Sequence, residues 1–399
     1  MKRSHIHHYV PEWYQRRFLA GGRDYYYLDV EPKTATWNGG SHQLKAVRKQ
    51  GPSVCFFRKD FYTLRLGKEN TDALERRFFG HIDTIGKPAA DVFTEYSGAL
   101  KGGNVGQAFQ NLVSYMGAQR FRTPRGFDDL RKRAAPSTHK NAILLTFQTV
   151  FQSLAAMWSE GVWEIVRARN STTKFIVSDD PVTFYCKVMF PSEWTYPNDV
   201  SLKSIGTRTI FPLSLDSCLI ITHLQLARNP WNTPTEFRVN ARYYDNSVKH
   251  LGSIQFDREL AEDEVIRINY ILKKRATRYI AAACEDWLYP ERHVSTQEWI
   301  ALDDDWFLLP HLWKVPFMGQ ITIGHRDGSV WSMDEYGRRP GDVGYKNEKL
   351  RQKEWVSKEQ AKQEWAKKRI GKSRAQVDKW DHDVGDKMME NFLRAEGLI

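Results

Sequence analysis

Apolar and polar positions divide this chain into an extended N-terminal region, a helical middle and a second extended region. Residues 5–30 read as short extended segments: HIHHYV ahead of Pro11, and RDYYYLDV after Gly21-Gly22, with an aromatic and β-branched bias. CFFRKDFYTLRL at 55–66 reads the same way. Helical spacing follows. Leu74, Phe78, Ile82 and Ile85 recur on one face, Asp72 with Glu75 has the form of a capping box, and Gly86-Lys87-Pro88 predicts the end of that helix. A second helix is predicted over 105–122, with Phe109, Leu112 and Met116 on one face and Thr123-Pro124 closing it. A third, over 141–160, is apolar enough for a core. From Gly161 the texture is extended again: WEIVRARNSTTKFIVSDDPV predicts two strands joined at Asn170-Ser171, and TRTIFPL and CLIITH predict further strands. VIRINYILKKRATRYIAAAC predicts one long helix over 259–284. There is no internal repeat. The expected fold is α+β, a helical bundle packed with a small, mostly antiparallel sheet, plus a charged helical C-terminal extension. The expected divisions are a core domain at 1–290, a strand-containing extension at 291–333 and a basic helical module at 334–399.

The order HHYVPEWYQRRF, DFYT, LERRF, AQRFRTP, FIVSDDPV, TIFPLS and a late helix with INY and ATRYIAA resembles the bacterial domain-of-unknown-function family 4238. The resemblance covers about residues 5–285. It implies a shared fold and names no activity.

Charge changes the picture by its location. The net charge is +11; residues 1–140 hold 24 Lys/Arg against 13 Asp/Glu, and residues 345–374 hold 11 against 4. A basic region interleaved with Trp13, Tyr14, Tyr25 to Tyr27, Phe56, Phe57, Phe61 and Tyr62 suits a polyanion such as nucleic acid; the plainer reading is a well-solvated face. Cys55, Cys186, Cys218 and Cys284 show no CxxC spacing, which argues against a disulfide framework or a zinc ribbon and fits a reducing cytoplasm. No apolar run reaches the about 18 residues of a membrane helix, so no membrane partner is expected.

Three segments carry candidate chemistry. As a strand, HIHHYV turns Ile6, His8 and Val10 to one face and His5, His7 and Tyr9 to the other. The apolar neighbours mark His8 as a core histidine and His7 as one that orients a loop; proton transfer and metal ligation are the functional alternatives. In FIVSDDPV, Ser178, Asp179 and Asp180 end a strand. The two carboxylates face opposite ways, one free to bind a divalent ion or hold a histidine, the other to cap a turn. In AQRFRTP, Gln119 and Arg122 continue the apolar stripe and need buried partners, which Glu75, Asp180 or a phosphate would supply.

Walker-A, GxGxxG, GxSxG and HExxH motifs are absent, which disfavours P-loop hydrolases, Rossmann dehydrogenases, α/β-hydrolases and zincins. The remaining set has His7, His8, Glu75, Asp179 and Asp180 as catalytic candidates and Gln119, Arg122 and Ser178 as substrate contacts. It predicts a nuclease acting on RNA or DNA, in a toxin or antiphage-defence role, by histidine acid/base chemistry or with Mg²⁺ or Mn²⁺ activating water. The alternative is a non-catalytic nucleic-acid- or partner-binding protein with structural histidines. Convergence of the three segments on one pocket separates the two. In the tail, Trp355, Val356 and Trp365 stand on a mostly charged helix, which predicts a contact with the body, with a protein partner or with nucleic acid. A chain ending just before Asp334 is expected to stay folded.

Overall fold

The computed structural model describes residues 4–37, 40–98, 105–190, 198–238, 251–317 and 320–372, together with Gln376; the last part of the 334–399 segment lies outside the described residues. The fold is α+β, with two principal sheets. Five strands run in the order Thr183–Tyr185, Arg208–Ser214, Ser217–Thr222, Val162–Arg167 and Gln255–Glu259, antiparallel except for the last pair. Every residue of Val162–Arg167 is buried, as expected for a strand covered on both faces. Four antiparallel strands make the second sheet: Val177–Ser178, Tyr279–Ala282, Tyr25–Asp29 and Val47–Gln50. The two strands predicted in WEIVRARNSTTKFIVSDDPV therefore join different sheets.

Three predicted helices need correction. Gly86-Lys87-Pro88 does not end the first one: a π-helical stretch, Leu74–Phe79, leads into Gly80–Thr94, which runs straight through Pro88. Packing overrides the local signal here. A Cβ on Gly86 would lie 2.5 Å from the Tyr115 ring, so glycine is what lets this helix lie against Val105–Arg122. The helix predicted over 141–160 is broken into Lys140–Val150 and Ala155–Ser159. By length and composition Lys140–Ser159 is apolar enough to cross a membrane, yet half of its most apolar stretch is buried inside the body. The predicted 259–284 helix stops at Arg275, and Tyr279–Ala282 becomes a central strand.

The helices and both sheets share one apolar core, into which Trp299, Leu302 and Phe307 also pack. A second cluster joins Val162, Leu224 and Leu312 to Tyr336, Ala361 and Trp365. The last three belong to the C-terminal region, where the hairpin Gln320–Gly324/Val330–Asp334 precedes the helix Glu348–Trp365, N-capped by Asn347.

Candidate functional site

The opening strand Ile6–His8 pairs with Phe57–Lys59, and its inward face is the reverse of the expected one. Ile6 is 46% exposed, His7 is fully buried, and His8 lies partly at the surface. Aromatic volume decides this: Tyr9, on the His7 face, meets Phe56 and Phe61 edge-on, a larger apolar gain than burying Ile6. His7 Nδ1 accepts the Tyr62 N–H at 2.9 Å, Nε2 lies 3.2 Å from the Ser4 carbonyl, and the ring stacks on Tyr62. This is a neutral imidazole with its proton on Nε2, pinning the turn that carries Asp60 at a φ of 53°. His8 Nε2 lies 3.3 Å from the Ser53 carbonyl; burial lowers its pKa, with Glu12 opposing.

Tyr62 leads to the helix end. Its hydroxyl donates to the Arg122 carbonyl at 2.5 Å. Gln119 and Arg122 are buried, as the stripe predicts. Gln119 Nε2 donates to the Tyr9 carbonyl at 2.9 Å, and its Oε1 accepts Arg122 Nε at 2.7 Å. The carboxylate partner of Arg122 is neither Glu75 nor Asp180 but Asp83, at 3.0 and 3.3 Å. Sequence reasoning missed Asp83, which lies within the predicted helix but off its apolar face, because only the packing of the two helices turns it toward Arg122. Glu75 forms no capping box: Asp72 opens the helix, its carbonyl accepting the Arg76 N–H at 3.0 Å, but its carboxylate accepts from Ser4 N–H and Arg76 Nε. Glu75 Oε2 is buried without a hydrogen bond among the described residues, and burial pushes the carboxyl up to about 8 against the pull of Arg122.

The SDDP segment is anchored elsewhere. Ser178 Oγ accepts the Asp180 N–H at 3.3 Å. Asp179 and Asp180 are both buried and face different partners, as their adjacency predicts. Asp179 accepts three backbone N–H groups, from Thr277, Arg278 and Tyr279, at 2.7, 2.7 and 2.9 Å. Burial lifts its carboxyl to about 6 even with those donors opposing. The same bonds explain why 277–282 leaves the helix. Asp180 accepts both of its bonds from Arg120 Nη1, at 2.6 and 2.7 Å. Arg120, within AQRFRTP, escaped notice because it is off the apolar stripe, yet residues 115–120 of this helix are all buried. Beside it Asp199 accepts from Arg275 at 2.9 Å and Arg125 at 3.2 Å. Against the cost of burial, these arginines and Arg120 hold its pKa below the usual range.

The end of the 105–122 helix thus touches both motifs through different side chains: Gln119 holds the HHYVP strand and Arg120 holds SDDP. One cleft opens beside the arginine–aspartate network, with a volume of about 460 Å³, and its walls include Phe121, Asp129, Phe184 and Leu202. It contains Arg120 but neither histidine, nor Arg122, nor Asp179. Among the described residues no group of three His, Cys, Asp or Glu side chains is placed to hold a metal ion. The predicted residues therefore form two buried frameworks rather than one concave centre. Comparison with known proteins finds no matching family model, curated protein or solved structure.

Proposed function

We propose that this protein binds nucleic acid through a basic surface, with the HHYVP and SDDP segments building its frame. The carrying observation is the company around Asp60. Arg58 and Lys59 precede it on an exposed strand, His5 Nδ1 lies 3.0 Å from its carboxylate, and Lys140 Nζ reaches its carbonyl at 3.5 Å. Exposed Arg65 is fastened to the same place, its N–H and carbonyl both bonded to Asn141. Cations gathered on one face make the electrostatic footprint of a polyanion site, which dispersed solvated charges do not. The engagement of His7, Asp179 and Asp180 with backbone or arginine favours the binding reading over a hydrolytic one. The ordered motifs support placing the chain with family 4238, and four free thiols support a reducing, cytoplasmic setting, both within the same proposal.

Affinity for an RNA or DNA oligonucleotide should fall with salt, with a log-log slope of about 0.7 to 0.9 per phosphate contacted. The triple variant Lys59→Ala/Arg65→Ala/Lys140→Ala should reduce that slope by roughly 2 to 3. No binding at low salt, or an unchanged slope, would sink the proposal.

A nuclease reading keeps one supporting observation: Glu75, a carboxyl lifted to about 8 next to Arg122, has the protonation state of a general acid at neutral pH. The reading predicts cleavage of RNA, single-stranded DNA or duplex DNA in Mg²⁺, Mn²⁺ or EDTA, lost in Glu75→Gln. An intact substrate under all three conditions would eliminate it.

A further inference from the structure

The cleft at the end of the 105–122 helix borders the SDDP framework at Arg120 and Asp199, and the rest of its lining serves neither framework. Phe121, Phe184 and Phe237 give it aromatic walls, and Phe237 is 61% exposed at the mouth. That ring sits on a fixed backbone: Ile205 N–H donates to the Glu236 carbonyl at 2.8 Å and Arg238 N–H to the Lys203 carbonyl at 2.8 Å. Phe184 is backed by the Arg120 guanidinium, 4.6 Å from its centroid, and Arg120 is itself locked by Asp180. Arg133 and Lys203 bring positive charge to the lining. Asp129 differs from the neighbouring carboxylates. Asp180 and Asp199 are saturated by arginines, whereas Asp129 has one ion pair, 3.9 Å from Arg120 Nη2, and no hydrogen bond among the described residues. A volume of about 460 Å³ lies within the roughly 300 to 1,000 Å³ of small-molecule sites.

We infer that this cleft receives a single guanine base, its ring against the phenylalanines, its N1–H and N2–H donors on the Asp129 carboxylate, and its phosphate toward Arg133 and Lys203. The choice of base follows from the wall. Aromatic rings accept any base, but a carboxylate with two acceptor oxygens matches two adjacent donors, which guanine alone among the common bases presents on one edge. Adenine and cytosine offer one exocyclic amine beside an acceptor that would face the carboxylate. The inference rests on the nucleic-acid reading for its ligand class, but on a different surface.

The test is calorimetric titration of the full chain with GMP, AMP, CMP and UMP. GMP is expected to bind about tenfold or more tightly than the other three. Asp129→Asn replaces one acceptor by a donor and should bring GMP to the level of AMP, with an unchanged thermal melt. Phe237→Ala, at an exposed position, should weaken all binding by a similar factor and decides the matter if Asp129→Asn fails to fold. Equal affinity for the four nucleotides, no saturable GMP binding, a preference retained in Asp129→Asn, or Phe237→Ala without effect would each overturn the inference. Oligonucleotide binding without GMP binding would fail the cleft and leave the basic surface standing. GMP binding without oligonucleotide binding would do the reverse.

Discussion

His7 and His8 are adjacent in sequence and differ in what their ring nitrogens must do. His7 serves the buried Tyr62 amide with one nitrogen and the exposed Ser4 carbonyl with the other, so truncating it orphans the Tyr62 N–H and opens space beneath that ring. We expect His7→Ala to cost on the order of 3 kcal/mol in urea unfolding, and His8→Ala under about 1 kcal/mol. Equal losses would refute the framework role of His7. Glu75 adds a pH dependence with a definite sign. Its carboxyl moves from 4.5 to about 8 on folding, driven by burial. A raised carboxyl stabilises the fold fully below its unfolded pKa, and that stabilisation is lost as pH rises through the folded value. The melting temperature should therefore fall between about pH 4.5 and pH 8, and Glu75→Gln should flatten the fall. An identical slope in the variant would assign it to other groups. Residue types were legible from the sequence here, since Gln119 and Arg122 are buried where the stripe puts them. Partners were not: Asp83 and Arg120 take their roles from side-chain directions that only the packed helices define.

The helix Gly80–Thr94 shows where element-level reading fails. Glycine and proline within three positions argue locally for a break, at about 1 and 3 kcal/mol respectively. Contact with the 105–122 helix outweighs this, because Gly86 removes the side chain that would strike Tyr115. Gly86→Ala should thus destabilise the protein by about 1 to 3 kcal/mol even though alanine is the better helix former. A stabilised variant would show that the two helices can separate at little cost. Similar logic applies at 277–282, where the residues have helical preference but the Asp179 carboxylate claims their N–H groups. The 105–122 helix and the strands at 208–214 and 217–222 were legible because local pattern and tertiary demand agree there. The sheet to which each strand belongs was not, because a strand pattern carries no address.

At the scale of the whole molecule the question is whether the C-terminal region stands apart. Its charge suggests so, and exposed Trp355, 49% accessible, is available for a partner. The contacts at Arg228 point the other way. This fully buried guanidinium donates to both oxygens of Glu335 at 2.6 and 2.7 Å, to Glu354 at 3.2 Å and to the Tyr336 hydroxyl at 3.1 Å. All three residues lie beyond Asp334, while Arg228 sits on the short helix Leu224–Arg228 of the body. A chain ending just before Asp334 keeps the Pro316 carbonyl as a partner for Arg228 but loses both carboxylates, and it strips Tyr336, Ala361 and Trp365 from their apolar cluster. Removing the partner of a buried charge costs about 3 to 5 kcal/mol, much of it the desolvation of the charge left behind. The shortened chain should therefore unfold at markedly lower urea than the full one, and Arg228→Met within it should recover part of the loss by removing the orphaned cation. In the full chain the same substitution should destabilise, because it takes both Arg228 hydrogen bonds from the buried Glu335 carboxylate. The opposite signs are the diagnostic: a shortened chain as stable as the full one, or Arg228→Met harmful in both, would mean that the region beyond Asp334 does not hold Arg228 in place.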